Sequence, residues 1–136
     1  MIVIAHRNGD VCRSADGGQT FGLVHVNDGF DTQPLWVGDR FIAWRRGAAL
    51  TSTDGERWTV RATDPVDLEL GAVGHNPLTG TFVATRGGWQ VWYEEQVFYR
   101  SEDGISWTAL APGAAPGGHP LGSIAFGYAA PGGACQ

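Results

Sequence analysis

Lysine is missing from this 136-residue sequence, and all nine basic residues are arginine. Charged residues make up only 17% of the chain, and acids outnumber bases to give a net charge of −5. Such a balance sets up no global attraction for nucleic acid, and no DNA- or RNA-binding motif is present. Cysteine is scarce: Cys12 and Cys135 stand near opposite ends, and two thiols do not fix a redox compartment. No apolar run approaches the roughly 18 residues that a membrane-spanning helix needs. The first apolar run, Met1 to Ala5, stops at His6-Arg7, too short for a signal-peptide core. Localisation therefore stays open, with a secreted or periplasmic parent among the readings. Also lacking are long stretches of strong helix formers with a 3.6-residue period, so helix is expected to be nearly absent.

What the chain does have is glycine and aromatics, 21 Gly and six Trp within 43% hydrophobic residues. That mix suits many short strands joined by tight turns in one domain. The strands repeat. Ser14-Ala15-Asp16-Gly17 leading to Phe21, Ser52-Thr53-Asp54-Gly55 leading to Trp58, and Ser101-Glu102-Asp103-Gly104 leading to Trp107 are three copies of one signature. Upstream, Ile4-Ala5-His6-Arg7 aligns with Ile42-Ala43-Trp44-Arg45 and with Val83-Ala84-Thr85-Arg86. Asp-Gly between apolar runs is a strong hairpin signal, because Gly accepts the positive φ that other residues resist. The Ser and Asp side chains can bond nearby backbone and lock the turn, and the aromatic then plugs the space between sheets.

Each unit reads as strands A, B, C and D, with the signature at the C–D turn. Strand A falls near Leu35 to Val37, Leu70 to His75 and Leu121 to Phe126. The chain thus runs B-C-D, A-B-C-D, A-B-C-D, then a lone A. The expected boundaries are about 1–27 with a terminal strand at about 120–127, then about 33–63, then about 68–112. The two ends read as complementary parts of one unit. Cys12 falls on a strand C and Cys135 just past the last A; a disulfide and two free thiols are both left open.

These signatures resemble the Asp-box, or BNR, repeat of sialidase-like β-propellers, across essentially the whole chain. The family pattern, Ser-x-Asp-x-Gly-x-Thr-Trp, is met almost fully by Ser14 to Phe21. The second and third copies run one residue shorter. The resemblance implies an all-β fold of three four-stranded propeller blades. Propellers typically close with 4–8 blades, so a homodimer forming a six-bladed ring is expected. It also implies that Ser14, Asp16, Gly17, Phe21, Ser52, Asp54, Gly55, Trp58, Ser101, Asp103, Gly104 and Trp107 are structural, on the rim away from the ligand face.

Ligand candidates lie on the opposite, B–C loop face. Arg7, Arg45 and Arg86 recur there, and arginine forks suit carboxylate or sulfate. The third B–C connection is longer and breaks the period, as binding loops do. Its Trp89, Trp92 and Tyr93 offer flat stacking surfaces, and Glu94 offers an acceptor. The competing reading is that the arginines and this loop only pack between repeats. The D–A loops add Asp31, Asp64 and Asp67 to the same face. The histidines and cysteines have no metal-ligand spacing, and no phosphate loop or Gly-x-Ser-x-Gly elbow occurs, so no cofactor and no metal are expected. The Arg-Ile-Pro motif of sialidases is missing, and a symmetric ring would duplicate what is an asymmetric site in that family. The sequence therefore points to a non-catalytic binding or scaffold module for a glycan or protein. The alternatives are a sialidase-like glycoside hydrolase and an excised or engineered half-propeller that self-assembles.

Overall fold

A computed structural model of the chain describes residues 1–5, 9–88, 96–111 and 121–126. It is all-β: the described residues form eleven strands and no helix. The strands make three antiparallel sheets. The first holds β1 (Ile2–Ala5), β2 (Asp10–Ser14) and β3 (Gly22–His25) in the order β1-β2-β3. In the second, β4 (Leu35–Trp36), β5 (Phe41–Arg45), β6 (Ala48–Ser52) and β7 (Thr59–Ala62) follow in chain order. The third repeats that plan with β8 (Leu70–His75), β9 (Phe82–Arg86), β10 (Phe98–Ser101) and β11 (Thr108–Ala109).

The Ser-x-Asp turns explain why each third and fourth strand fold back on one another. In the second turn the buried Ser52 hydroxyl donates to Asp54 Oδ1 at 3.0 Å and accepts the Gly55 N–H at 2.8 Å. The Asp54 carboxylate then accepts the N–H groups of Glu56 and Arg57, each at 2.9 Å. The third turn copies this. Ser101 bonds Asp103 and Gly104, and the amides of Ile105 and Ser106 reach Asp103 at 2.7 and 2.8 Å. In the first turn Ser14 bonds Asp16, and the amides of Gln19 and Thr20 reach the same carboxylate. One detail corrects the sequence alignment. The N–H that caps the Ser14 hydroxyl belongs to Gly18, not Gly17. The first turn holds one residue more, so Gly18 occupies the place of Gly55 and Gly104.

A second correction concerns β1. Ile42 and Val83 each pair with the residue that precedes the turn serine, Thr51 and Arg100. On β1 the residue opposite Arg13 is Val3. Val3, rather than Ile4, therefore shares the register position of Ile42, and the β1–β2 connection carries one more residue than the β5–β6 turn.

Two cores lie between the sheets. Val11, Val26 and Phe30 pack with Ala43 and Leu50, joined by Val3 and Trp58, between the first and second sheets. Ile42, Trp44 and Ala49 of the second sheet pack with Leu70, Phe82, Ala84 and Trp107 of the third. The period-2 alternation of the strands assigns the sides. Ala43 and Leu50 face back toward the first sheet, and Ile42, Trp44 and Ala49 face forward to the third.

Each seam is also pinned by the turn of the following sheet. Gly55, with φ +73°, sits so close to Val3 that an added Cβ would lie 2.7 Å from its side chain; Gly104, with φ +75°, has the same relation to Ile42, at 2.8 Å. Arg13 Nε donates to the Asp54 carbonyl, and its Nη1 lies 3.4 Å from the Glu56 carboxylate. At the next seam the Trp44 indole donates to the Gly104 carbonyl at 2.7 Å. There the Asp64 backbone pairs with Ile105 and Trp107.

The strand expected at Leu121 to Phe126 is not formed in the single chain. These residues pair with no strand. Ile124 and Phe126 pack instead on Gly74 of β8, where the missing side chain leaves room for them. β1 has β2 as its partner on one side and no strand on the other among the described residues. Cys12 lies half-buried on β2, and Cys135 falls outside the described residues.

Candidate functional site

The β5–β6 turn and the Ser52–Trp58 turn leave opposite ends of β6, so the loop face and the Ser-x-Asp turns are separated by the length of a strand. On the loop face the two-residue turn at Arg46-Gly47 is tied to the preceding connection. Asp31 Oδ2 accepts the Arg46 N–H at 2.7 Å. Gly47 donates to the Leu68 carbonyl and accepts from the Thr63 N–H, which draws the β7–β8 connection over the turn. Opposite it, the Gly87 N–H donates to the Glu69 carbonyl at 2.8 Å, and the Glu69 carboxylate lies against Gly88.

These tethers frame a recess of about 260 Å³ between the second and third sheets, lined by Arg46, Asp67, Glu69, Arg86 and Tyr99. Two guanidinium-bearing and two carboxylate-bearing residues balance in charge, with a phenol beside them. The set offers paired donors and acceptors rather than a net field. That chemistry suits a neutral ligand dense in hydroxyls, each able to give and take a hydrogen bond.

A second cavity, of about 440 Å³, opens between β4 and β8. Leu35, the residues at 71–73 of β8 and Leu121 to Ile124 line it with the Phe30 to Gln33 connection.

Of the residues singled out from sequence, Arg86 lines the recess and Arg45 does not. Arg45 Nη1 donates to the Asn27 carbonyl at 2.8 Å and lies 3.2 Å from the Asp28 carboxylate. It serves the seam between the first and second sheets. Arg7, Trp89, Trp92, Tyr93 and Glu94 fall outside the described residues. Sequence reading places the Arg45-Arg46 pair on this face but takes Arg45 as the site residue, and it passes over Glu69 and Tyr99. The signal for Arg46 was its place beside Gly47 at the tip of a two-residue hairpin. Neighbouring arginines on a strand end point to different sides, so only one of the pair can reach a given seam. Asp67, named as a loop acid, is in the recess; Asp31 and Asp64 are engaged in tying sheets together.

The three turn aspartates are held below the ordinary carboxylate range, Asp16 and Asp54 well below it. For Asp16 the causes are the Thr20 hydroxyl and amide with the Ser14 hydroxyl, and for Asp54 the Arg57 and Glu56 amides. Partial burial pushes Asp103 the other way, and the Ser106 and Ile105 amides outweigh it. Carboxylates so saturated by their own turns have structural work. No group of three or more metal-ligating side chains occurs among the described residues. Comparison with family models, with curated proteins and with solved structures gives no match.

Proposed function

We propose that this chain is a non-catalytic binding module of the Asp-box propeller kind, taking a hydroxyl-rich ligand, a glycan, on its loop face. In this reading two copies close into a six-bladed ring, and each contributes the recess between its second and third sheets. The observation that supports the assembly is the repetition of one seam. Val3 and Ile42, at the same register position of successive sheets, both receive the turn glycine of the following sheet. A relation that repeats with the same hand propagates into a ring or an open filament, and the roughly 4–8 blades of propellers favour the ring. The support for a glycan is the balanced donor and acceptor set of Arg46, Arg86, Asp67, Glu69 and Tyr99.

The test is binding to an immobilised glycan panel, with purified chain and three variants. Wild type should bind a subset of glycans. Arg46→Ala should lose about tenfold or more in affinity, the loss of roughly one charge-assisted contact. Trp92→Ala should also weaken binding, while Arg61→Ala, on the exposed β7, should not. No binding to any glycan would refute the ligand class. Hydrolysis of a sialoside substrate would replace the binding reading by a glycoside hydrolase.

A further inference from the structure

The first sheet presents a side that the second and third sheets keep covered. Ile4 pairs with Cys12, as Ala43 pairs with Leu50 and Ala84 with Tyr99. Ala43 and Ala84 are fully buried, yet Ile4 is 43% exposed. Likewise Phe21 is 49% exposed, whereas Trp107 at the same place in its turn is 6% exposed. Gly18 meets only its own sheet, Ile2 and Phe21, where Gly55 and Gly104 meet the sheet before. Four apolar residues, Ile2, Ile4, Phe21 and Leu23, are thus left to water on this side of the first sheet, whose β1 edge meets no strand among the described residues.

What covers such a side is given by the other two seams. It is the forward side of the preceding sheet, together with the inner strand that follows it. At the seam of the second and third sheets, Leu35 and Ile42 on the forward side pack against Leu70 and Val73 of β8. On the third sheet Gly74 pairs with Val83 and so faces forward, and there Ile124 and Phe126 are seated. Leu121-Gly122-Ser123-Ile124 has the pattern of Leu70-Gly71-Ala72-Val73. The segment 121–126 therefore stands to β8 as β8 stands to β4. It holds the place that the first strand of a following sheet would take, and no such sheet follows it among the described residues.

We infer that this face takes a second copy of the chain, and that strands are exchanged across the seam: Leu121 to Phe126 of each copy adds to the free edge of β1 in the other. This rests on the two-copy ring proposed above and specifies how it is joined. The register follows from β8. Val73 lies opposite Ala84, and Gly74 opposite Val83. Ile124 should lie opposite Ile4 of the second copy, and Ala125 opposite Val3. Exchange turns the exposed Ile4 into a cross-strand neighbour of Ile124, and it gives β1 a strand on the edge that has none among the described residues. Arg100, which lies 3.1 Å from the Glu102 carboxylate on the forward side of the third sheet, shares the register of Arg13, whose Nε donates to a backbone carbonyl of the following turn.

The test uses two full-length chains in a Cys12→Ser, Cys135→Ser background, one carrying Ile4→Cys and the other Ile124→Cys. Directly opposed residues of antiparallel strands have Cβ atoms about 4.5–5.5 Å apart, close to disulfide reach. Mixed in equal amounts after dissociation and reoxidised, they should give a covalent dimer in roughly half of the protein, the share of mixed dimers from random pairing, and far less with either chain alone. A chain carrying both cysteines should also give the covalent dimer. If it gives instead an internally linked monomer, the segment returns to its own β1 and exchange is refuted. A dimeric mass with no cross-link in the mixture also refutes exchange while leaving the ring intact. A monomeric mass at all concentrations, with no cross-link, refutes both.

Discussion

The indole N–H of Trp44, on β5, donates to the carbonyl oxygen of Gly104, 60 residues away in the last Ser-x-Asp turn, at 2.7 Å. The ring is 1% exposed and lies edge-on to both Phe82 and Trp107, with centroids 5.7 Å away in each case. One side chain thus welds the second sheet to the third. Trp44→Phe keeps most of the ring and should cost about 1–3 kcal/mol, the desolvation cost of leaving the carbonyl unpaired with some packing loss. Trp44→Ala should cost about 3–5 kcal/mol. Urea unfolding measures both, and a Trp44→Phe cost near zero would show that the hydrogen bond contributes nothing.

Turn glycines should divide by what faces them. Gly104→Ala forces a side chain into the positive-φ region and also against Ile42, with 2.8 Å to its Cδ1. Gly17→Ala meets the same φ restriction, at +77°, with open space around it among the described residues. Gly17→Ala should cost about 1 kcal/mol, and Gly104→Ala clearly more, as neighbours shift. Thermal unfolding of the two variants checks the order, and a reversed order would contradict the seam described here.

Asp16, Asp54 and Asp103 give the fold an acid limit. Their carboxyls titrate lower in the folded state than the ordinary value of about 3.9. The unfolded chain therefore binds protons first as pH falls. The stability these groups contribute is present above about pH 4 and is lost progressively below it. The urea midpoint should hold between about pH 7 and 5 and fall between about pH 4 and 2. Asp103→Asn should lower stability at neutral pH and shallow that fall. An unchanged acid limb would show that Asp103 adds nothing to it.

Much of the strand plan was legible because its determinants are local. Ser52, Asp54 and Gly55 form their turn from bonds within a few residues, so spacing alone reveals it. The register of β1 was not legible. Val3 and Ile4 are both apolar, and which one faces forward is decided by Arg13 and Gly55 across the seam. The role of Gly18 was masked by a second glycine beside it, and only the Ser14 hydroxyl tells the two apart. The site was less legible still. Arg45 and Arg46 look alike in sequence, but Asn27 and Asp28 draw the first toward one seam, and Asp31 holds the backbone of the second at the recess. The strand read at Leu121 to Phe126 has the right pattern, but it pairs with no strand among the described residues.

The seam between copies should respond to charge as the internal seams do. Arg13 lies 3.4 Å from Glu56, and the equivalents across the proposed seam are Arg100 and Gln19, since the Gln19 amide bonds Asp16 as the Glu56 amide bonds Asp54. Gln19→Glu should tighten the dimer by a few-fold, as an exposed ion pair does. Arg100→Glu should weaken it by about tenfold, because two seams are hit at once. Arg100→Glu with Gln19→Arg should recover part of the loss. Dilution isotherms measure all three; no recovery in the double variant would separate Arg100 from the turn of the second copy.

The most direct measurement is the mass of the chain in solution, by sedimentation or light scattering, over a hundredfold dilution series. Two copies in a closed ring predict twice the chain mass with no larger species, because closure leaves no seam open. A single-chain mass throughout, or a ladder of growing assemblies, would contradict it.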